Sequence, residues 1–552
     1  MATTPVEFNA PGPGFWALDR SHFPGGITPI SEWLMTESFD AGFRRVFAES
    51  GVPAEGLEAK FVNGFFYSRL RPLIGADKPV KKLPPLIVLK IATRLHPKFR
   101  ARTKQAVAIL SERPSIDVAR RWESEIRPRV RAANLEFQSV DVATVDDAEL
   151  EHHITELLDH LREHLELHFW LHGHDMGPIA RYLHTCIGWG LEPGTAIEAL
   201  SGASPATGVP LGILVRLRAM IDGSGAHPAS LDEVRAISPE AAALLDSYLE
   251  EHGNVLATGY DITALTLNEL PGVVLDSIRS AVEPATIDHE ALAATLRSRL
   301  EPGDRSEFDA LLADARAVMD MRDDNGPLVV EWPAGLLRRA LLAAGVRLAA
   351  GGQLADPEHA LELTPQEARS MFSGGLPPAN EITRRAERRA ALARLEPPDS
   401  LGDPEPEPPL TVMPKPLADA VAMVQTAIKY MGMDGDAKVD RLTGAGIGTT
   451  SYIGRARTAE SADDAIEKLE PGDVLVVRAT SPAFNAVLSI AGAVVTADGG
   501  LLSHAAVLAR ELGIPAVIGA PGALDIADGS QVEVDPTTGT IRVVAAPTPD
   551  GV

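Results

Sequence analysis

Between residues 31 and 395 apolar positions recur mostly at spacings of three and four. That period lines them along one face of an α-helix. It predicts helices over 117–126, 146–171, 230–251, 287–300, 306–321 and 335–350, many of them separated by Gly or Pro. Strand-like alternation is scarce in this region, and only 63–67 and 328–331 fit short extended pieces. The pattern changes near the carboxy terminus. Residues 493–496 are apolar and β-branched, as in a buried strand; Gly499 and Gly500 then turn the chain, and a helix-compatible run stops at Gly513. Residues 516–518 form a second strand-like run. The expected fold is multidomain: a large, mostly α-helical domain over 1–395, then an α/β domain over 416–546. Pro397 to Pro409 interleaves proline with Asp and Glu, which predicts an extended, semi-rigid linker over 396–415.

Composition narrows the class. The chain has 552 residues, 45% hydrophobic and 23% charged, which fits two to four globular domains. A net charge of −25 argues against a nucleic-acid or anionic-membrane surface. The single cysteine, Cys186, excludes an internal disulfide framework and a cysteine-rich zinc site. The first residues have neither a basic nor an apolar leader region, and no apolar run reaches about 18 residues. A soluble, cytoplasmic protein is expected.

The candidate chemistry begins at His504. It follows the glycine turn and Ser503, a good N-cap, and so falls in the first turn of the predicted helix. Free N–H groups and the helix dipole favour an anion there and disfavour imidazolium, which keeps the ring neutral and nucleophilic. A phosphoryl group on His504 would meet those N–H groups, the Ser503 hydroxyl and Arg510, and Gly500 leaves room for it beside the backbone. A lone histidine at a helix start is more often a cap or a core residue. The longer pattern changes that balance.

Residues 499–519, GGLLSHAAVLARELGIPAVIG, closely resemble the phosphohistidine signature of the swivelling domain in the PEP-utilising enzymes, which include phosphoenolpyruvate synthase, pyruvate phosphate dikinase and rifampin phosphotransferase. The likeness extends upstream through 471–476 and Thr480-Ser481-Pro482, and downstream through Asp528-Gly529 and 532–535 to Gly539. Leu502 stands where the dikinases carry Thr, and this LSH version is more similar to rifampin phosphotransferase and aryl phosphate synthases. The resemblance implies that His504 receives a phosphoryl group at one site and delivers it at another. Gly444-Ala445-Gly446-Ile447-Gly448 lacks the helix pattern and acidic partner of a dinucleotide site, and reads as a turn into the first strands of the swivelling domain.

Two stretches of the helical region are candidates for the acceptor. The opening Trp16…Asp19…His22-Phe23-Pro24…Thr28-Pro29 resembles the start of the substrate-binding domain of rifampin phosphotransferase-like proteins, which makes Trp16 and His22 candidates for contact with substrate or carrier; the other reading is a strap packed over the domain. His160, His164, His168 and His172 recur every four residues, followed by His174. Such a helix fits a solvated or structural face, a metal pair, or a substrate site in which Trp170 offers an aromatic wall and His172 or His174 a base. The metal reading lacks an H-E-x-x-H arrangement and a second ligand cluster, so no metal site is assigned. Gly259-Tyr260-Asp261, Glu269, Pro271, Arg338-Arg339 and 361–364 fit the same resemblance weakly; Leu267 and Val255 stand where relatives carry Trp and Arg.

No G-x-x-x-x-G-K-[ST] loop is present, nothing resembles an ATP-grasp domain, and the residues after 545 leave no room for a phosphoenolpyruvate barrel. The expectation is therefore a substrate-binding and phosphohistidine-carrier subunit of a split, dikinase-type phosphotransferase. An ATP-grasp-type partner would hold ATP and Mg²⁺ and charge His504. The acceptor would be a small hydroxylated, phenol-like compound, as the likeness to phenylphosphate synthase implies, and the products the phosphate ester, AMP and phosphate. The alternatives are a phosphocarrier or regulatory protein without acceptor chemistry of its own, and a purely structural His504.

Overall fold

The computed structural model describes residues 6–20, 22–23, 25–76, 78–283, 288–431, 441–480 and 484–547. Ser21, Pro24, Ile287, Ser481 and Pro482, which belong to the motifs and segments above, lie outside the described residues. The chain divides into two compact units: Met1–Gly177 with Tyr260–Thr263 and Asn325–Met423, and Pro178–Gly259 with Ala264–Asp324 and Val424–Val552. This differs from the single helical domain expected over 1–395, because residues 178–259 and 264–324 pack with the carboxy-terminal sheet.

The first unit is mostly helical but contains a four-stranded antiparallel sheet ordered β2-β3-β1-β4. Its strands are β1 (Trp16–Leu18), β2 (Ala54–Val62), β3 (Phe65–Pro72) and β4 (Ser400–Leu401). The β2–β3 hairpin turns at Asn63 and Gly64, whose φ values of 53° and 81° are both positive. An Asn-Gly pair tolerates that conformation, and its twist matches the flanking strands. Residues 63–67 are thus the turn and the start of a long strand. Residues 328–331 are not extended. They lie in a π-helical turn, Pro327–Glu331, that joins the helices Met319–Gly326 and Trp332–Ala350.

The proline-rich 396–415 stretch is extended up to a 3-10 turn at Leu410–Val412, and it is anchored. Ser400 and Leu401 pair with Ala17 and Trp16. Pro398 O accepts from Tyr67 Oη at 2.8 Å, and the Glu405 carboxylate accepts from Val80 N at 2.7 Å. Helix Pro29–Ser50 starts at the Thr28 cap, whose Oγ1 accepts from Ser31 N, and ends at Gly51 with φ 75°. The helix Asp147–Gly188 carries the histidine series and donates its first part to this unit.

The second unit is built on a seven-stranded sheet ordered β11-β10-β6-β7-β8-β9-β5. Here β5 is Ala445–Ile447, β6 Tyr452–Ala459, β7 Val474–Val477, β8 Ala493–Thr496, β9 Ala516–Ile518, β10 Gln531–Asp535 and β11 Thr540–Ala545. The pairs β6–β7, β7–β8 and β8–β9 are parallel, and the outer pairs are antiparallel. Ala445–Ile447, expected as a turn, is itself an edge strand paired with β9. Alternate strand residues feed two cores. Leu475, Val477, Val494 and Ile518 face the helical side with Ala505, Ala506 and Ala509, while Val474, Val476, Val495 and Val517 pack with Val532 and Val534 on the other. Burial on both faces is why the central strands read as continuous apolar runs.

Candidate functional site

In the second unit the chain leaves the carboxyl end of β8, crosses the glycine turn and enters the helix His504–Leu512. Gly499 has φ 107°, and a Cβ there would lie 3.1 Å from Ser503 Oγ, so glycine is required for the turn. Ser503 N donates to Gly500 O at 2.9 Å, and Ser503 Oγ accepts from Ala506 N at 3.4 Å. Gly500 and Ser503 therefore shape the loop and cap the helix, with His504 as its first residue. The imidazole Nδ1 lies 3.1 Å from Thr480 Oγ1. Gly513, with φ 69°, terminates the helix.

Arg510 is engaged by the loop and by its own helix. Its Nη1 donates to Leu501 O at 2.8 Å and to Ala506 O at 3.2 Å, tying the helix back to the loop before His504. Burial pulls its pKa down to about 10 despite Glu198 and Glu511 nearby. Leu502 is buried; its N–H donates to Tyr430 O and its carbonyl accepts from Arg322 Nη2 at 2.9 Å. Thr480 was visible as part of a motif, but its bond to His504 was not. Arg322, almost two hundred residues upstream, carried no sequence signal at all.

The first unit holds a second polar cluster, and it separates the proposed acceptor residues into two sets. Trp16 is 1% exposed, belongs to the apolar core with Phe65, Tyr67 and Leu401, and donates to Gly12 O. Trp170 and His174 are also buried. Their Nε1 and Nε2 lie 2.7 and 3.2 Å from Glu49 Oε2, and His174 Nδ1 is 3.3 Å from Ser115 Oγ. Arg45 covers the Trp170 ring at 4.1 Å. The His174 hydrogen bond, opposed by burial and aided by Trp170 and Arg45, holds Glu49 down to about 2. These three side chains form packed structural contacts.

His22 and His172 fall in the other set. Nδ1 of His22 lies 2.7 Å from Asp19 Oδ2, and half of the side chain is exposed. Nδ1 of His172 lies 3.1 Å from Asp175 Oδ2. The His168 and His172 rings are 4.4 Å apart, and Asn325 Nδ2 donates to His168 O at 3.1 Å. Desolvation lowers the pKa of His168 well below the ordinary range, with His172 and His22 adding to the effect. Glu331, 2% exposed at the end of the π turn, interacts electrostatically with His22. Its Oε1 has no hydrogen-bond partner, and a Cβ on Gly326 would lie only 3.1 Å away. Burial raises the Glu331 pKa to about 8, against the opposing charge of His22, so its carboxyl is protonated near neutrality. His22 is raised as well: burial opposes its charge, but the Asp19 carboxylate more than compensates.

The rest of the histidine series is packed. His160 Nε2 lies 3.1 Å from Asn134 Oδ1 and its ring 4.8 Å from that of Phe137, while His164 Nδ1 is 2.7 Å from His160 O. Sequence periodicity placed His168 and His172 one turn apart, but it could not connect them with Asp19, His22, Asn325 and Glu331.

Comparison with known proteins bears on the carboxy-terminal site. The family model of the PEP-utilising enzyme, mobile domain, matches residues 469–539, which include Thr480 and His504. The chain is 27% identical to rifampicin phosphotransferase of Streptomyces sviceus over 57% of its own length and 36% of that protein's. It is 31% identical to the uncharacterised phosphotransferase YvkC of Bacillus subtilis over 45% of its length, covering 29% of that relative. A chondramide synthase of Chondromyces crocatus is 25% identical over 96% of the chain, which spans 14% of that protein. The chain thus covers about a third or less of these relatives. Residues 469–539, which hold the strands from β7 to β10 and the helix of His504, thus match the mobile domain of the PEP-utilising enzymes, and the similarity to named phosphotransferases extends beyond that stretch.

Proposed function

We propose that the chain binds an organic hydroxyl compound and carries the phosphoryl group for it on His504, as one component of a dikinase-type phosphotransferase. The observation that carries the reading is the placement of His504. Its ring stands at the N-terminus of a helix after a strand's carboxyl end, with Nδ1 beside the Thr480 hydroxyl. With the Nδ1 proton donated to Thr480, the Nε2 lone pair is the nucleophile, and the helix N-terminus favours the anionic product. A nucleotide-binding component of ATP-grasp type holds ATP and Mg²⁺ outside this sequence and supplies the phosphoryl group. The β-phosphorus of ATP forms an N–P bond at His504 as its bond to the AMP oxygen breaks, and water then takes the terminal phosphate, leaving one phosphoryl group on the ring; transfer of that group to the acceptor regenerates the free imidazole. A phenol-like acceptor is the first choice of substrate.

The test is the intact mass of the full chain after incubation with Mg-ATP and a candidate nucleotide-binding partner, with His504→Ala in parallel. An acid-labile gain of one phosphoryl group that the variant lacks is the expected result. A gain retained by the variant would show that another residue is the carrier.

A further inference from the structure

The cluster in the first unit has properties that packing alone does not require. Glu331 is buried with an unpartnered oxygen at the end of a π-helical turn, a local geometry that costs regular hydrogen bonding and recurs at functional sites. It lies near His22, whose ring is half exposed and paired with Asp19. Tyr260 stands 5.1 Å from the His22 ring, and Phe23 is 6.2 Å from Tyr260, so one side of the cluster is aromatic. Asp19, His22, His168, His172, Asp175 and Glu331 include no permanent cation.

We propose that this cluster is the acceptor site, that it takes a neutral aromatic hydroxyl of the phenol class, and that His22 is its base with Asp19 as the positioning carboxylate and the buried, unpartnered Glu331 as a hydrogen-bonding group for the acceptor. The inference rests on the phosphotransferase reading and deepens it. Asp19 accepts the Nδ1 proton of His22, which leaves the Nε2 lone pair to take the acceptor's proton. The acceptor oxygen then forms its bond to phosphorus as the phosphorus–nitrogen bond of phospho-His504 breaks, and that electron pair returns to the imidazole. The protonated carboxyl of Glu331 donates to the acceptor oxygen without repelling its developing charge. An anionic acceptor such as a carboxylate would meet Asp19 and Asp175 with no Lys or Arg in the cluster to offset them.

The experiment is an NMR titration of the full chain labelled at histidine Cε1, with phenol as probe and benzoate as its anionic counterpart. His22→Gln assigns the key resonance. Phenol is expected to shift the His22, His168 and His172 signals saturably and leave His174 unmoved, with benzoate binding at least tenfold more weakly. Glu331→Gln, which keeps a neutral donor, should bind phenol within about threefold of the parent, whereas Glu331→Leu should lose at least tenfold. The proposal is overturned if phenol leaves His22 unmoved, if benzoate binds as well, or if Glu331→Gln loses as much as Glu331→Leu. The titration does not involve the carrier, so His504→Ala must give the same shifts. Failure of this site and failure of His504 charging are therefore separate results. Once charging is achieved, His22→Gln should accept phosphate on His504 normally yet transfer it to phenol about 100-fold more slowly.

Discussion

Thr480 Oγ1 and His504 Nδ1 lie 3.1 Å apart, joining the loop after β7 to the first residue of the carrier helix. The contact restrains the ring orientation, and with Nδ1 as the donor the Nε2 lone pair is the one left to meet the phosphoryl donor. Thr480→Val keeps the side-chain shape and removes the hydroxyl. It should slow charging of His504 about tenfold, the effect of losing ~1.4 kcal/mol of transition-state positioning, with little change in melting temperature. Equal charging rates in a single-turnover assay would mean that the ring is oriented by other contacts.

Gly499 serves the same site through the backbone. Its φ of 107° is poorly accessible to a residue with a side chain, and the added Cβ would press on Ser503 Oγ and Cβ at 3.1 and 3.2 Å and on Ile518 Cγ2 at 3.3 Å. Gly499→Ala should cost about 1–3 kcal/mol of stability and impair charging through the displaced cap. Urea denaturation reads the first effect and intact mass the second. An alanine variant as stable as the parent would contradict the strained-turn account.

How much of this was legible follows from sequence distance. The candidate site around His504 is assembled largely from one stretch, Ala493 to Gly513, where a strand, a glycine turn, a cap and a helix stop succeed one another, so the pattern conveyed the local fold and the position of the histidine. The first unit is different. β1 pairs with β4 across almost four hundred residues, and the anchored 396–415 segment carries proline and acid signals that fit a free tether equally well. The Asn63-Gly64 hairpin was readable in principle, yet the surrounding helical period obscured it. Leu328-Val329-Val330-Glu331 looks extended because β-branched residues fit either a strand or a buried helix. In the structure it is a π turn that delivers Glu331 to the cluster. Burial alone decided the fate of Trp170 and His174, and burial is a tertiary property.

Trp170 and His174 converge on Glu49, a contact that joins two buried side chains to one carboxylate. Glu49→Ala would leave both buried nitrogens without their acceptor and should destabilise the chain by about 1–3 kcal/mol while leaving His504 charging intact. The pH dependence has a definite sign. Glu49 has a folded pKa lowered from 4.5 to about 2, so its contribution is present above pH 4.5 and is lost as pH falls toward 2. Acid melts of parent and variant should therefore converge below that window. A variant that charges poorly would place this network in the transfer machinery instead.

Glu331 produces the opposite dependence. Its folded pKa is raised from 4.5 to about 8 because burial disfavours the carboxylate. The folded chain then holds a proton that the unfolded chain releases, so the stabilisation is fully present below pH 4.5 and is lost as pH rises through 8. Across that window the parent should lose up to about 1.4 kcal/mol per pH unit from this group. Glu331→Gln has no proton to release, and its stability should be flatter between pH 5 and 8, with the largest gain over the parent at the alkaline end. Urea midpoints at half-unit intervals measure both curves, and parallel curves would show that Glu331 is already ionised in the folded chain. The same comparison bears on the acceptor site, because a carboxyl that is neutral at pH 7 can donate a hydrogen bond to a phenol oxygen and an ionised one cannot.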